Sequence, residues 1–354
     1  MNWERDDPEY NYYIDTTITF SNTLRPDNAF IYFEDNYEIN PRLSTNIGVH
    51  YSLFYVNKKL YHSPQPRVSV RYLINEESSL KASYATMQQN IHLLTNSSFG
   101  LPNDMWVPAT DLVKPQFSQQ IVIGYNKLLN KKKYEASIEL YYKKMKDLVT
   151  FSEGTNILGT AFSAWEERVE TNGNGLSKGI EFFLEKKRGN LTGWIGYTIS
   201  KTTRQFENIN LGNEYPYKFD RTHDLSIVAS YKVKSGINIS ATWVYGTGNA
   251  ITMPTARYLV IPEGGNNAIA YFDYGEKNDF RMAPYHRLDI GCNFTKIKKW
   301  GERTWTVSIY NVYNRKNPFF IYFEDQLEEG VKEKQAIQIS LFPIIPSVRY
   351  SFKF

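Results

Sequence analysis

The sequence predicts an all-β fold: an antiparallel transmembrane barrel of about 14 strands, with short turns at one end and long loops at the other. Three observations predict it. Apolar and polar residues alternate with a period of two almost from end to end, while the i, i+3, i+4 pattern of helices is scarce. The connections between alternating stretches switch between short and long, which a soluble sandwich has no reason to do. Finally, the polar faces carry Arg67, Arg71, Lys81, Glu139, Lys143, Glu181 and Glu185, charges that a dry core does not hold unpaired and a watery lumen does.

The expected strands lie near 10–20, 28–39, 43–55, 66–75, 79–89, 116–129, 134–150, 168–187, 191–205, 221–233, 237–261, 280–298, 304–324 and 334–354. Their faces are legible residue by residue. In "YEASIELYYK", Ala136, Ile138, Leu140 and Tyr142 oppose Ser137, Glu139, Tyr141 and Lys143. In "LTGWIGYTIS", Leu191, Ile195, Tyr197 and Ile199 oppose Thr192, Trp194, Thr198 and Ser200. In "INISATWVY", Ile237, Ile239, Ala241, Trp243 and Tyr245 oppose Asn238, Ser240 and Thr242.

Short turns are expected at "NPR", "EES", "NKKK", "RGN", "KSG" and "KKWGE", all rich in turn-forming residues. Longer connections are expected at about 21–27, 56–65, 90–115, 151–167, 206–220, 262–279 and 325–333. Trp243, Trp305, Tyr313 and Tyr350 lie near strand ends, where aromatic girdles meet the lipid headgroups. The closing "SVRYSFKF" places Val348, Tyr350, Phe352 and Phe354 on one face. Pro343 and Pro346 predict a bulge, a kink or a turn in the stretch before it, because proline donates nothing to a ladder.

Composition sets the outer limits. Aromatics make up 16% of the 354 residues, so much ring surface must be covered by core or lipid. No run approaches the roughly 18 apolar residues of a membrane helix. The net charge is +4 with scattered basic residues, so nucleic acid has no electrostatic footprint here. The basic run Lys131–Lys133 reads as a solvated turn, and the lone Cys292 as a packing residue of a strand. The opening "MNWERDDPEYNYY" has no apolar core of a secretory signal.

Enzyme chemistry finds no foothold. There is no phosphate-cradling glycine motif, nucleophile elbow or HExxH, and His50, His62, His92, His223 and His286 have no metal-ligand spacing. No cofactor is implied. "FDRTHD" gathers Asp220, Arg221, His223 and Asp224 where a long loop descends into a strand, and reads as an anchoring network. "FEDQLEEG" reads as a solvated acidic loop without the calcium-loop order. "FIYFED" occurs at 30 and again at 320, read as two barrel strands emerging into loops. Ligand contact is expected from aromatic residues of the long loops, with Trp106, Trp165, Tyr217, Tyr271 and Tyr274 as candidates.

Several stretches resemble a known family. "QPRVSVRYLINEESSLKASYATMQQNIHLLTNSS", "LPNDMWVPATDLVKPQFSQQIVIGY", "YPYKFDRTHDLSI", "YHRLDIGCNF", "YNVYNRKNPFFIYFED" and "LFPIIPSVRYSFKF" are similar to the C-terminal barrel portion of TonB-dependent outer-membrane receptors of the Bacteroidetes type. The resemblance implies a 22-stranded barrel, a plug domain inside it, a segment that contacts TonB, and uptake of a scarce ligand such as an iron chelate, cobalamin, a glycan or a peptide. It also implies that Tyr350, Phe352 and Phe354 form the signal read by the barrel-assembly machinery. Residues 1–354 then read as a C-terminal fragment without plug or signal peptide, coupled to TonB only through the missing part. A self-contained 14-stranded passive channel and a soluble β binding protein are the alternative expectations.

Overall fold

Alternating strands of 9 to 18 residues separated by glycine, asparagine and lysine turns build one long antiparallel meander. The computed structural model describes residues 24–95, 104–155, 165–260, 269–328 and 331–354, except the side chains of 259, 269–270 and 324–334. The expected strand at 10–20 lies outside them.

In chain order the strands are β1 (Asp27–Asn40), β2 (Leu43–Val56), β3 (Lys59–Asn75), β4 (Ser78–Gln89), β5 (Ile91–Leu94), β6 (Met105–Pro108), β7 (Gln116–Leu129) and β8 (Tyr134–Phe151). They continue with β9 (Val169–Lys186), β10 (Leu191–Gln205), β11 (Tyr215–Pro216), β12 (His223–Lys234), β13 (Ile237–Gly246), β14 (Ala250–Ile251) and β15 (Pro254–Val260). The last are β16 (Ile269–Tyr274), β17 (Phe280–Arg281), β18 (Tyr285–Lys298), β19 (Gly301–Tyr310), β20 (Phe320–Glu328), β21 (Val331–Ile339) and β22 (Ile345–Lys353).

Thirteen of them form a continuous wall in the order β1-β2-β3-β4-β7-β8-β9-β10-β12-β13-β18-β19-β22, with β11 attached to β10. The other strands form two-stranded pairs within the long connections: β5 with β6, β14 with β17, β15 with β16, and β20 with β21. Sequential neighbours pair throughout the wall, as up-and-down barrels require.

Register carries the apolar face unbroken across the wall. Val68 lies opposite Tyr84, and Tyr84 opposite Ile121. Ile121 lies opposite Tyr142, Ile138 opposite Phe182, and Phe182 opposite Tyr197. Tyr197 lies opposite Leu225, Ile227 opposite Trp243, and Trp243 opposite Leu288. The series closes with Ile290 opposite Ile309 and Val307 opposite Val348. Many of these side chains are well exposed, among them Ile121, Leu140, Ile195 and Val348. Water penalises such a face and lipid does not.

Two aromatic groups sit toward the ends of this belt. On the loop side, Trp243 Nε1 donates to the Tyr313 hydroxyl at 3.2 Å, and His286 Nδ1 lies 2.8 Å from the same oxygen. On the turn side, the Trp305 and Tyr350 rings meet at 4.8 Å between centroids, and Phe352 packs between Trp300 and Phe354.

The structure corrects several expected boundaries. The connection expected to be long at 56–65 is a two-residue turn, with Asn57 and Lys58 both at positive φ (46° and 65°) and β3 starting at once. Pro64 and Pro66 lie on the stretch of β3 beyond its paired register with β4, which starts at Arg67, where a missing N–H costs little. The strand expected over 237–261 breaks after Gly246, and the one expected over 280–298 becomes β17 and β18. The strand expected over 304–324 ends at Tyr310, so the second "FIYFED" belongs to an outer hairpin and not to the wall. The final strand expected over 334–354 divides into β21 and β22 around 340–344, where Pro343 falls, and Pro346 is accepted because β22 is an edge. Among the described residues β1 and β22 do not pair with each other, and the strand expected at 10–20, which the 14-stranded alternative counts, lies outside them.

Candidate functional site

The second face of the wall is polar and faces the lumen. One register row crosses it: Glu38 opposite Ser44, Ser44 opposite Arg71, Arg71 opposite Lys81, Lys81 opposite Gly124, Gly124 opposite Glu139, and Glu139 opposite Glu181. All seven charged residues expected to point inward share this face. A groove of about 500 Å³ lies over its first part, lined by Asn46, Ser69, Arg71, Lys81, Ser83 and Glu139 among others. Nearer the short turns, Glu135 lies opposite Glu185, and Lys187 neutralises both, touching Glu135 and standing 3.7 Å from Glu185.

The loop end holds nearly all of the buried apolar side chains. Leu94, Val107, Val113, Val149 and Phe151 form one cluster; Leu148, Phe206, Ile209 and Tyr215 form a second; Phe54, Val56 and Ala109 form a third. These clusters bind loops to the wall and to one another. Ionic and polar ties reinforce them. Lys218, 7% exposed, donates to Asp104 at 2.9 Å, and Asn278 Nδ2 donates to the Pro216 carbonyl at 2.8 Å. Arg281 pairs with Asp220, whose carboxylate also accepts the Thr202 main-chain N–H. The Arg204 guanidinium lies over the Tyr217 ring at 3.7 Å.

Burial shifts several groups in this cap. His92 is 1% exposed. Burial, with Arg204 nearby, lowers its pKa to about 4, against an opposing pull from the Lys114 main chain. Burial raises the Tyr215 hydroxyl to about 12 and also raises Tyr217. Burial draws Lys277 down, Glu153 opposing.

The five aromatic candidates do not converge on one pocket. Trp165 packs against the first apolar cluster, and Tyr217 is held by Arg204 and by Phe219, edge to face at 5.4 Å. Trp106, Tyr271 and Tyr274 remain exposed at 63%, 55% and 44%. Tyr258, opposite Tyr271 in the β15–β16 hairpin, is equally exposed and was not foreseen; its partner across a hairpin is not visible in sequence.

"FDRTHD" does anchor, but its members separate: Asp220 takes Arg281, Arg221 reaches Asp224 at 3.5 Å, and His223 meets the Tyr197 hydroxyl at 2.9 Å. The acidic side chains of "FEDQLEEG" lie outside the described ones. Among the described residues no group of three His, Cys, Asp or Glu stands in position to hold a metal ion.

A family model described as "TonB dependent receptor-like, beta-barrel" matches residues 1–314. No curated protein matches the chain. Solved structures similar in fold include the ferric-catecholate import receptor Fiu from K12 E. coli in its closed form, with a TM-score of 0.56 and 14% identity over 92% of this chain and 44% of that one. The ferripyoverdine receptor of the outer membrane of Pseudomonas aeruginosa, bound to ferripyoverdine, gives 0.56 and 14% over 93% and 38%. The FrpB iron transporter from Neisseria meningitidis gives 0.54 and 15% over 93% and 44%. The chain spans less than half the length of each.

Proposed function

The chain belongs to the TonB-dependent receptor-like β-barrel family, and from that membership we propose that it forms part of the wall of a Gram-negative outer-membrane transport receptor. The observation that carries this reading is the apolar face running across thirteen strands, backed by a polar, charged face on the same strands. Lipid accepts the first and a watery lumen the second.

The edges support the fragment reading over the passive channel. β1 is exposed along its whole length and β22 along most of it. Hydrocarbon offers nothing to unpaired backbone groups, so in the assembled barrel both edges pair with further strands. TonB then acts through a plug in the lumen, and Tyr350, Phe352 and Phe354 address the chain to the assembly machinery. Trp106, Tyr271 and Tyr274, exposed on the loops, are the surfaces proposed to meet ligand first. The names of the similar structures favour a ferric chelate as the first ligand to try, ahead of cobalamin, glycan or peptide. The Bacteroidetes type is proposed on the sequence resemblance.

Membrane fractionation of the native host tests the reading, followed by heat-modifiable gel migration and intact mass. A heat-modifiable outer-membrane species well above 41.3 kDa supports the receptor. One equal to 41.3 kDa supports the passive channel, and a soluble monomer refutes both.

A further inference from the structure

The outward face changes character abruptly at the loop end of β8, β9 and β10. Its register row Leu140, Ile180, Ile199 is wholly apolar. In the next row toward the loops Tyr142 lies opposite Lys178, and Lys178 opposite Lys201. Beyond that, Lys144 lies opposite Leu176 and Leu176 opposite Thr203, and Lys146 follows Lys144 on the same face of β8. Four lysines thus stand directly above the apolar belt, and the outward positions of 142–146, 174–178 and 201–205 hold no Asp or Glu.

Lysines that merely lift their heads out of lipid have no reason to gather in this way. The row of Lys144 continues as Gln119 on β7 and Thr86 on β4, so the charge is confined to three adjacent strands. Like charges directly opposite one another are destabilising, yet Lys178 faces Lys201. Glu214, from the connection after β10, offsets only one of them, standing 3.6 Å from Lys201. Among the described residues Lys144, Lys146 and Lys178 take part in no ion pair, and Lys144 Nζ rests 5.7 Å from the centroid of the Tyr142 ring.

The surface is also concave at this point. A cavity of about 190 Å³ is lined mainly by outward-facing side chains, among them Tyr142, Lys144, Lys146, Leu176 and Gln205, with Glu214 at its side. Lys144 and Lys178 are diagonal neighbours on paired strands, roughly 7–8 Å apart, so their long ammonium arms converge on one group between them. Lysine binds phosphate as a point charge. A phosphate free in solution would use the charges and leave the apolar strip beneath them idle, whereas a phosphorylated lipid uses both.

We propose that Lys144, Lys146 and Lys178 hold the phosphate of an acyl lipid in the outer leaflet, whose chains lie along Leu140, Ile180 and Ile199. The proposal rests on the receptor-barrel reading and adds a lipid site on the outside of the wall. The anion relieves the repulsion between Lys178 and Lys201, and Tyr142 sits at the boundary between headgroup and chains, where aromatic rings are favoured.

The test is native mass spectrometry of the full-length protein purified from its native host in an uncharged detergent. The probes are bis-phosphorylated lipid A and the same lipid dephosphorylated. The phosphorylated form is expected to bind about tenfold or more tighter, and combining Lys144→Gln, Lys146→Gln and Lys178→Gln should remove the difference. Lys127 and Lys186 face outward at the turn end, and Lys127→Gln with Lys186→Gln should preserve it. Equal binding of the two probes to the unaltered protein overturns the proposal. So does a preference retained by the triple variant, an equal loss in the turn-end variant, or release of the bound lipid by equimolar inorganic phosphate. Heat-modifiable migration of every variant reports separately whether the barrel has assembled. A chain that never assembles in the outer membrane refutes the receptor reading, whereas an assembled barrel without the phosphate preference refutes the lipid site alone.

Discussion

Asp220 shows what one buried carboxylate does in a loop cap. Its side chain is 3% exposed, it takes Arg281 from 61 residues away, and it accepts the Thr202 N–H. Asp220→Asn removes the charge and leaves Arg281 half-buried without it, at a cost of about 3 kcal/mol. Limited proteolysis should then cut the 206–222 connection faster, while the wall strands stay protected. His92 is the pH-sensitive counterpart. Its folded pKa of about 4 lies below the ordinary 6.5, so the opened loop binds a proton that the closed one refuses. The cap therefore loses stability as pH falls from 6.5 toward 4, up to about 3 kcal/mol at 1.36 kcal/mol per unit. Hydrogen exchange of 91–95 at pH 7.5 and 4.5 measures this. His92→Leu should flatten the difference; an unchanged pH slope in that variant refutes the assignment.

Strands tolerate change according to face. Leu140 is 49% exposed on the lipid side, between Ile123 and Ile180. Leu140→Arg should cost about 2–4 kcal/mol near the bilayer midplane and reduce the heat-modifiable band, whereas Ser137→Arg on the lumen side should leave it intact. Gly193 is constrained by backbone instead. It sits at φ 149°, and a Cβ there would lie 2.0 Å from the Val228 carbonyl oxygen on β12. Gly193→Ala should loosen the β10–β12 pair, seen as faster amide exchange on both strands. The wall strands from β1 to β12 were legible to within a few residues except where β3 begins, because alternation is local. Beyond Gly246 alternation continued into hairpins that never join the wall, so pattern alone merged β13 with β15 and β19 with β20.

On the scale of the whole molecule, the edges of the described wall, β1 and β22, matter most. β1 shows apolar side chains on both faces, with Phe30 and Tyr32 on one and Ile31 and Phe33 on the other. Such an edge pairs readily with any available strand. The 354-residue chain refolded alone in detergent should show slow amide exchange in β7 to β10 and fast exchange along β1 and β22. Equal protection of the two edges would mean that they pair, which would favour the self-contained channel.

Sequence alone determined the all-β class, the apolar and polar faces, the six short turns and the inward direction of the charged residues. These properties follow from period-two alternation and turn chemistry, which act over a few residues. Tertiary structure decided which alternating stretches form the wall and which form outer hairpins. It also decided that Trp165 and Tyr217 pack inside the loop cap, that Asp220 meets Arg281, and that Arg71 meets Lys81 as Glu139 meets Glu181. Each of these depends on the pairing partner and the register. A shift of one residue would carry the charges to the lipid side, and only the assembled sheet excludes it.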